Sequence, residues 1–217
     1  MGGLRLRQTE LAADFVNGAV GYRFRADRGR SHPLAKAAGL TRDSISHVAD
    51  ATAGLGQDAF LLASLGARVT LMERSAAVYA LLQDGLAKAR AAGPELAAVV
   101  ARMTLLNGDA RDLLPRLHPD VVTVDPMHPA RRKTALVKQE MRLLRELVGS
   151  DPDALELMQA ALSSGCKRVV LKWPLRAASL TGLPKPSYTI FGKTVRYEVF
   201  VILLGSVTAS PSARVFS

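Results

Sequence analysis

The chain has 217 residues, 48% of them hydrophobic and only 5% aromatic, a balance that suits an aliphatic core buried between helices and a sheet. Cys166 is the single cysteine, which excludes a disulfide framework and a cysteine-based metal site and leads us to expect a reducing, cytoplasmic setting. Lys and Arg number 29 against 19 Asp and Glu, giving a net charge of +10 and a pI near 10.3, so a polyanionic partner is favoured, with nucleic acid first.

Met1-Gly-Gly-Leu-Arg-Leu-Arg7 has no apolar stretch of signal-peptide length, and no run is long enough to span a bilayer; no leader and no membrane association are expected. Residues 1–43 read as a basic extension, with Arg5, Arg7, Arg23, Arg25, Arg28, Arg30, Lys36 and Arg42 among short apolar stretches. Strands are predicted near 46–51, 68–73, 102–106, 119–124 and 168–172, each short, aliphatic or β-branched, and bounded by polar or glycine residues. Helical periodicity falls between them, clearest at 75–92 and 134–148. This alternation implies parallel strands joined by crossover helices, one α/β unit over residues 44–205. Tyr188-Thr-Ile-Phe191 and Val195 to Leu204 flank Gly192-Lys193 and predict an antiparallel hairpin closing the sheet. Ser206 to Ser217 reads as a loose, serine-rich tail.

The first strand runs into a glycine-rich turn, Val48-Ala-Asp-Ala-Thr-Ala-Gly-Leu-Gly-Gln-Asp58. Asp50 ends the strand, Gly54 and Gly56 form the turn, and Gln57-Asp58 open a helix. Glycine lets backbone N–H groups approach a ligand closely. The helix start leaves donors that suit a carboxylate, while Asp50 or Asp58 is placed to hold an ammonium group; this mixed polarity fits an amino-acid moiety better than a pyrophosphate. Glu73, followed by Arg74, ends the next strand, where an acid can take both hydroxyls of a ribose. Asp109 follows the third strand in Leu105-Leu-Asn-Gly-Asp-Ala110, placed to accept from an adenine amine with the Ala110 N–H towards a ring nitrogen. Singly, each has a plainer reading: Asp58 as a helix N-cap, Asp109 as a turn residue, the glycines as a tight turn. Their succession at the ends of consecutive strands points to a nucleoside cofactor, because ligands of open α/β sheets bind at those carboxyl ends. A dinucleotide dehydrogenase shares the first half of the pattern, although Ala59 stands where its third glycine would be.

Val121-Val-Thr-Val-Asp-Pro-Met-His128 separates the two readings, because hydride transfer needs no Asp-Pro pair at a strand end. An exocyclic base amine is a poor nucleophile, and methyl transfer to it requires its lone pair to be aimed. The Asp125 carboxylate accepting one N–H and the Pro126 carbonyl accepting the other would do that and offset charge developing on nitrogen. Asp-Pro is also a frequent turn pair, and His128 is either a stacking platform for a base or a surface residue. Arg131-Arg-Lys133, then Lys138, Arg142 and Arg145, form a basic run beyond it, and Lys167-Arg-Val-Val-Leu-Lys172 is expected to add charge beside the same pocket. Trp173 is core or a rim stacking group. His32, His47, His118 and His128 lack ligand spacing, so no metal is expected.

Asp50-Ala-Thr-Ala-Gly-Leu-Gly-Gln-Asp-Ala-Phe60, Glu73-Arg74, Asp125-Pro-Met127, Lys133-Thr-Ala-Leu-Val-Lys-Gln-Glu-Met-Arg142 and Lys167 to Lys172 together resemble the bacterial ribosomal small-subunit methyltransferase J family. Asp14-Phe-Val-Asn-Gly-Ala19, Gly29-Arg30 and Ala35-Lys-Ala37 are similar to it as well, so the resemblance runs from about residue 4 to 204. It implies a class I, Rossmann-like methyltransferase using S-adenosyl-L-methionine to modify the N2 amine of one guanine in 16S ribosomal RNA. It further implies cofactor contacts at Gln57-Asp58, Glu73-Arg74, Asp109-Ala110 and Asp125. The alternatives are an amino-methyltransferase acting on DNA adenine or protein glutamine, and a non-catalytic RNA-binding assembly factor.

Overall fold

Seven strands form one mixed sheet in this computed structural model, which describes residues 11–17, 31–40, 46–127 and 152–202. In chain order the elements are α1 (Pro33–Ala38), β1 (His47–Asp50), α2 (Gln57–Ser64), β2 (Arg68–Glu73), α3 (Ala76–Ala91), α4 (Pro94–Val100), β3 (Met103–Asn107), α5 (Ala110–Leu113) with a 3₁₀ turn at Leu114–Arg116, β4 (Val121–Val124), α6 (Ala154–Leu162), β5 (Arg168–Pro174), β6 (Tyr188–Phe191) and β7 (Val195–Val201). The five predicted parallel strands all form, each within two residues of its expected ends. The 75–92 helix is α3, begun by Ser75, whose hydroxyl accepts from the Val78 N–H at 3.4 Å, and closed by Lys88 and Arg90 in its last turn. Helices α1, α4 and α6 were not anticipated, and the expected 134–148 helix and 206–217 tail lie outside the described residues.

The sheet order is β3-β2-β1-β4-β5-β7-β6. From β3 to β5 every pairing is parallel, and β7 then docks antiparallel on β5 with β6 outside it. The hairpin therefore closes the sheet through its second strand. The chain winds outward from β1 to β3 and returns to place β4 on the other side of β1, so the order reverses between β1 and β4. Ligands of such sheets bind in the crevice at that reversal.

Alternation along the central strands divides the core into two layers. Val48, Val69, Leu71, Val121 and Val170 face one side with Phe60, Leu62, Leu82 and Val99, whereas Ala49, Met72, Val122, Val124, Val169 and Leu171 face the other with Leu114, Met158 and Ala161. Ala13, Phe15, Leu34, Ala37 and Ala38, all from the segment read as a basic extension, are buried in the first layer. Phe15 stacks on Phe60 with ring centroids 5.0 Å apart. Gly85, inside α3, permits this arrangement, because a Cβ there would collide with the Ala13 carbonyl.

Candidate active site

A cavity of about 380 Å³ opens at the carboxyl edge of the parallel strands. It is lined by Asp50, Gly54, Gln57, Asp58, Glu73, Arg74, Asp109, Ala110, Asp125 and Pro126, so the structure brings all ten residues selected from the sequence to one place.

After β1, the Ala53 N–H donates to the Met72 carbonyl and the backbone turns through Gly54 and Gly56 at φ +52° and +72°. These are left-handed values that favour glycine. Gly56 is the N-cap of α2, which leaves Asp58 in the first turn rather than at the cap. Glu73 is 7% exposed and braces the turn: its Oε2 accepts from the Gly54 N–H at 3.0 Å and its Oε1 from the Ser75 N–H at 2.8 Å. Each carboxylate oxygen can accept more than one hydrogen bond, so hydroxyl donors in the cavity can still be taken there.

Asp50 is a strongly perturbed acid. Burial pushes its carboxyl up to about 7, Asp58 and Asp125 add to the rise, and the Thr52 N–H and Lys172 work against it. Thr52 was missed in the sequence. Its N–H donates to Asp50 Oδ1 at 3.2 Å, while its hydroxyl accepts from the Asp125 N–H at 2.7 Å, joining the ends of β1 and β4 across the crevice.

Lys172 was expected to add charge beside the pocket and does line it, but its bridging role was not read from the sequence. Its Nζ lies 2.6 Å from Asp58 Oδ2 and 2.7 Å from Asp125 Oδ2. Burial by itself would depress that ammonium, but the two carboxylates outweigh burial and hold it well above 10.5. A lysine ending an aliphatic strand at the carboxyl edge was the available signal. Lys167 and Arg168, expected beside it, lie at the opposite edge: Lys167 pairs with Asp120 at 2.8 Å and Arg168 donates to the Ala37 carbonyl at 3.3 Å. Four or five residues of extended chain, at about 3.3 Å each, carry them out of reach of the pocket.

At the far end of the cavity two arginines and two aspartates alternate. Arg74 reaches Asp153 at 2.6 Å and Asp109 at 3.8 Å, and Arg111 reaches Asp109 at 2.7 Å and Asp153 at 3.0 Å. The Arg111 hydrogen bonds hold the Asp109 carboxyl below the usual carboxylate range against its partial burial, and Arg74 does the same for Asp153. Asp109 also caps α5 by accepting from the Arg111 N–H at 2.9 Å, so both of its oxygens already serve Arg111. Arg111 and Asp153 had not been singled out. Asp153 lies 79 residues from Arg74, and only the fold makes them neighbours.

Trp173 is 7% exposed and its indole N–H donates to the Ala178 carbonyl at 2.7 Å, making it a core residue that also forms part of the cavity wall. His128, Arg131, Arg132, Lys133, Lys138, Arg142 and Arg145 lie outside the described residues. Among the described residues no cluster of three or more His, Cys, Asp or Glu could hold a metal ion, and no helix is long and apolar enough to cross a membrane.

The donor set fits a nucleoside carrying a charged amino-acid group. Acids for an ammonium and for ribose hydroxyls face the cavity beside an open helix start. Thr123 also lines the cavity, and its Oγ1 is, among the described residues, a buried side-chain polar atom with no partner in the protein.

The family described as "Putative SAM-dependent methyltransferase" matches residues 4–202. A ribosomal RNA small subunit methyltransferase J from Rhodopseudomonas palustris (strain HaA2) is 68% identical over 199 residues, covering 92% of this chain and 91% of the relative. The protein of that name from Brucella anthropi is 62% identical over 197 residues, covering 91% and 96%. The chain belongs to the small-subunit methyltransferase J family. The crystal structure of a SAM-dependent methyltransferase from Neisseria gonorrhoeae aligns with a TM-score of 0.70 at 34% identity, covering 92% of this chain and 77% of that one. Membership makes the protein an S-adenosylmethionine-dependent methyltransferase of Rossmann-like fold, with the C-terminal strands of its sheet antiparallel.

Proposed function

We propose that this methyltransferase J family member acts in the cytoplasm on small-subunit ribosomal RNA, methylating the exocyclic N2 amine of a guanine in 16S rRNA. The observation that carries the reading is that Asp125-Pro126, at the end of β4, faces the same cavity as Glu73 and the glycine turn. The names of the relatives supply the substrate class.

S-adenosylmethionine, when bound, supplies an electrophilic methyl group on a sulfonium. In this reading Glu73 takes the ribose hydroxyls, Asp50 and Asp58 face the ammonium, and the N–H groups at the start of α2 take the carboxylate. The adenine end belongs to Ala110 and Asp109, whose carboxylate is anchored by Arg111, with Arg74 alongside. Asp125 accepts one N–H of the target amine and the Pro126 carbonyl the other, which orients the lone pair and offsets the positive charge that develops on nitrogen. No covalent enzyme intermediate is required. The target base, if stacked in a helix, must be extruded at a cost of a few kcal/mol, which a protein of net charge +10 can offset through phosphate contacts.

The test is tritium transfer from labelled cofactor to purified 30S subunits, naked 16S rRNA, DNA and protein. Label in N2-methylguanine of the RNA is the expected result, and Asp125→Ala should abolish most of it while cofactor affinity stays within about tenfold. Label confined to DNA adenine or protein glutamine would replace this reading, and RNA binding without transfer would make the chain an assembly factor.

A further inference from the structure

We propose that Lys172 is a positioning residue for methyl transfer: by bridging Asp58 and Asp125 it fixes the substrate-facing carboxylate against the glycine-turn helix and offsets the negative charge crowded there. This rests on the reading of Asp125 given above.

The crowding is a consequence of topology. Strands β1 and β2 end in an acid and β4 is followed directly by one, all at the same edge, so Asp50, Glu73 and Asp125, with Asp58 from α2, all line one cavity. Arg74 and Arg111 are engaged by Asp109 and Asp153 at its other end. Lys172 extends from β5, the neighbour of β4, and its side chain is only 23% exposed. A lysine held there without partners would be costly; with two carboxylates at hydrogen-bond distance it is retained as a cation.

Its position between the two acids determines what it does. Asp58 belongs to the helix that follows the glycine turn, and Asp125 lies just past the last ladder residue of β4, Val124. Beyond the ladder, strand pairing no longer fixes the carboxylate's direction, and the 2.7 Å bond to Lys172 is one of the contacts that does. An amine aimed at a methyl group tolerates little error, and a misplacement of about 1 Å can cost on the order of 100-fold in rate.

Lys172→Met and Lys172→Gln, each checked for a cooperative melt, should lower kcat by about 10- to 100-fold. Lys172→Arg should recover a large part, because a guanidinium also bridges two carboxylates. With the cation gone, Asp50, Asp58 and Asp125 face one another and Glu73 unscreened, so the acid limb of the kcat profile should move to higher pH. A second readout needs no substrate: carboxyl ¹³C titration of the cofactor-free protein should show Asp125, which accepts from Lys172 at 2.7 Å, taking up its proton at a higher pH in Lys172→Met than in the native chain. A variant that keeps native kcat and acid limb, or an Asp125 titration that does not move, would overturn the proposal. A native protein that methylates no RNA would instead sink the functional reading, and the carboxyl titration would still report whether Lys172 governs the cluster.

Discussion

The backbone N–H of Asp125 donates to the Thr52 hydroxyl at 2.7 Å, although the two residues are 73 positions apart. Thr52 follows β1 and Asp125 follows β4, the strands on either side of the reversal in sheet order, so a single hydroxyl couples the glycine-turn side of the crevice to the Asp-Pro side. The same residue's N–H donates to Asp50, which places a carboxyl raised by burial one hydrogen bond behind this coupling. The site is thus a set of loop ends held to one another, and its geometry depends on these short bonds as much as on the strands.

Replacing Thr52 with Val keeps the volume and removes the acceptor. The Asp125 N–H would lose its partner and the Asp-Pro segment its tie to β1. Turnover should fall about tenfold, equivalent to roughly 1.4 kcal/mol of lost alignment. Thr52→Ser should stay near native, and a Thr52→Val enzyme with native kcat would show that the hydroxyl does not position Asp125.

Glu73 has two roles, and one substitution bears on both. Its oxygens accept backbone N–H groups from Gly54 and Ser75, and it is the acid assigned to the ribose. Glu73→Gln keeps the shape and one acceptor oxygen but turns an amide NH₂ towards a backbone donor. Hydrogen bonds to a charged group are worth about 1.5–3 kcal/mol, so cofactor binding by calorimetry should weaken by at least tenfold. An affinity within a factor of two of native would remove Glu73 from the ribose site.

Asp50 makes stability depend on pH with a definite sign. Its carboxyl titrates near 7 in the folded protein against 3.8 in an exposed chain, with burial as the main cause. Between those values the native state holds a proton that the unfolded state has lost, so this group's contribution is fully present below pH 3.8, declines as pH rises, and is gone above 7. The full difference is about 4 kcal/mol as an upper bound. Urea unfolding at pH 5 and pH 8 should show Asp50→Asn gaining on the native protein at the higher pH by more than about 1 kcal/mol. A constant difference between the two proteins would mean that Asp50 ionises normally.

What could be read beforehand divides along physical lines. The strands were legible because β1 and β4 are short, largely buried and rich in aliphatic or β-branched residues, and the acids at or just after the ends of β1, β2 and β4 were legible because a charge closing such a segment is conspicuous. Lys172 was grouped with Lys167 and Arg168 as charge beside the pocket, although only Lys172 lies towards the carboxyl end of β5, and its bridge to Asp58 and Asp125 exists only in the fold. Arg111 and Asp153 gave no local sign, because their meaning lies in pairing across the fold. Phe15 and Leu34 belong to the short apolar stretches of the segment read as a basic extension, and that they pack into the core is visible only in the fold.

Gly56 tests whether the turn is required by its backbone or only by its neighbours. At φ +72° an L side chain is strained, and a Cβ would lie 2.7 Å from Leu82 Cδ2 and 3.0 Å from Phe15 Cζ. Leu82 is fully buried, and Phe15 is stacked on Phe60, so neither yields without disturbing the first core layer. Left-handed backbone at a non-glycine residue costs about 1–2 kcal/mol and overpacking a core about 1–3 kcal/mol. Gly56→Ala should therefore lower Tm by roughly 4–20 °C for a chain of this size. Because the same residue caps α2, cofactor affinity should fall with it. A Tm within about 1 °C of native would mean that the turn relaxes at no cost and that glycine is dispensable there.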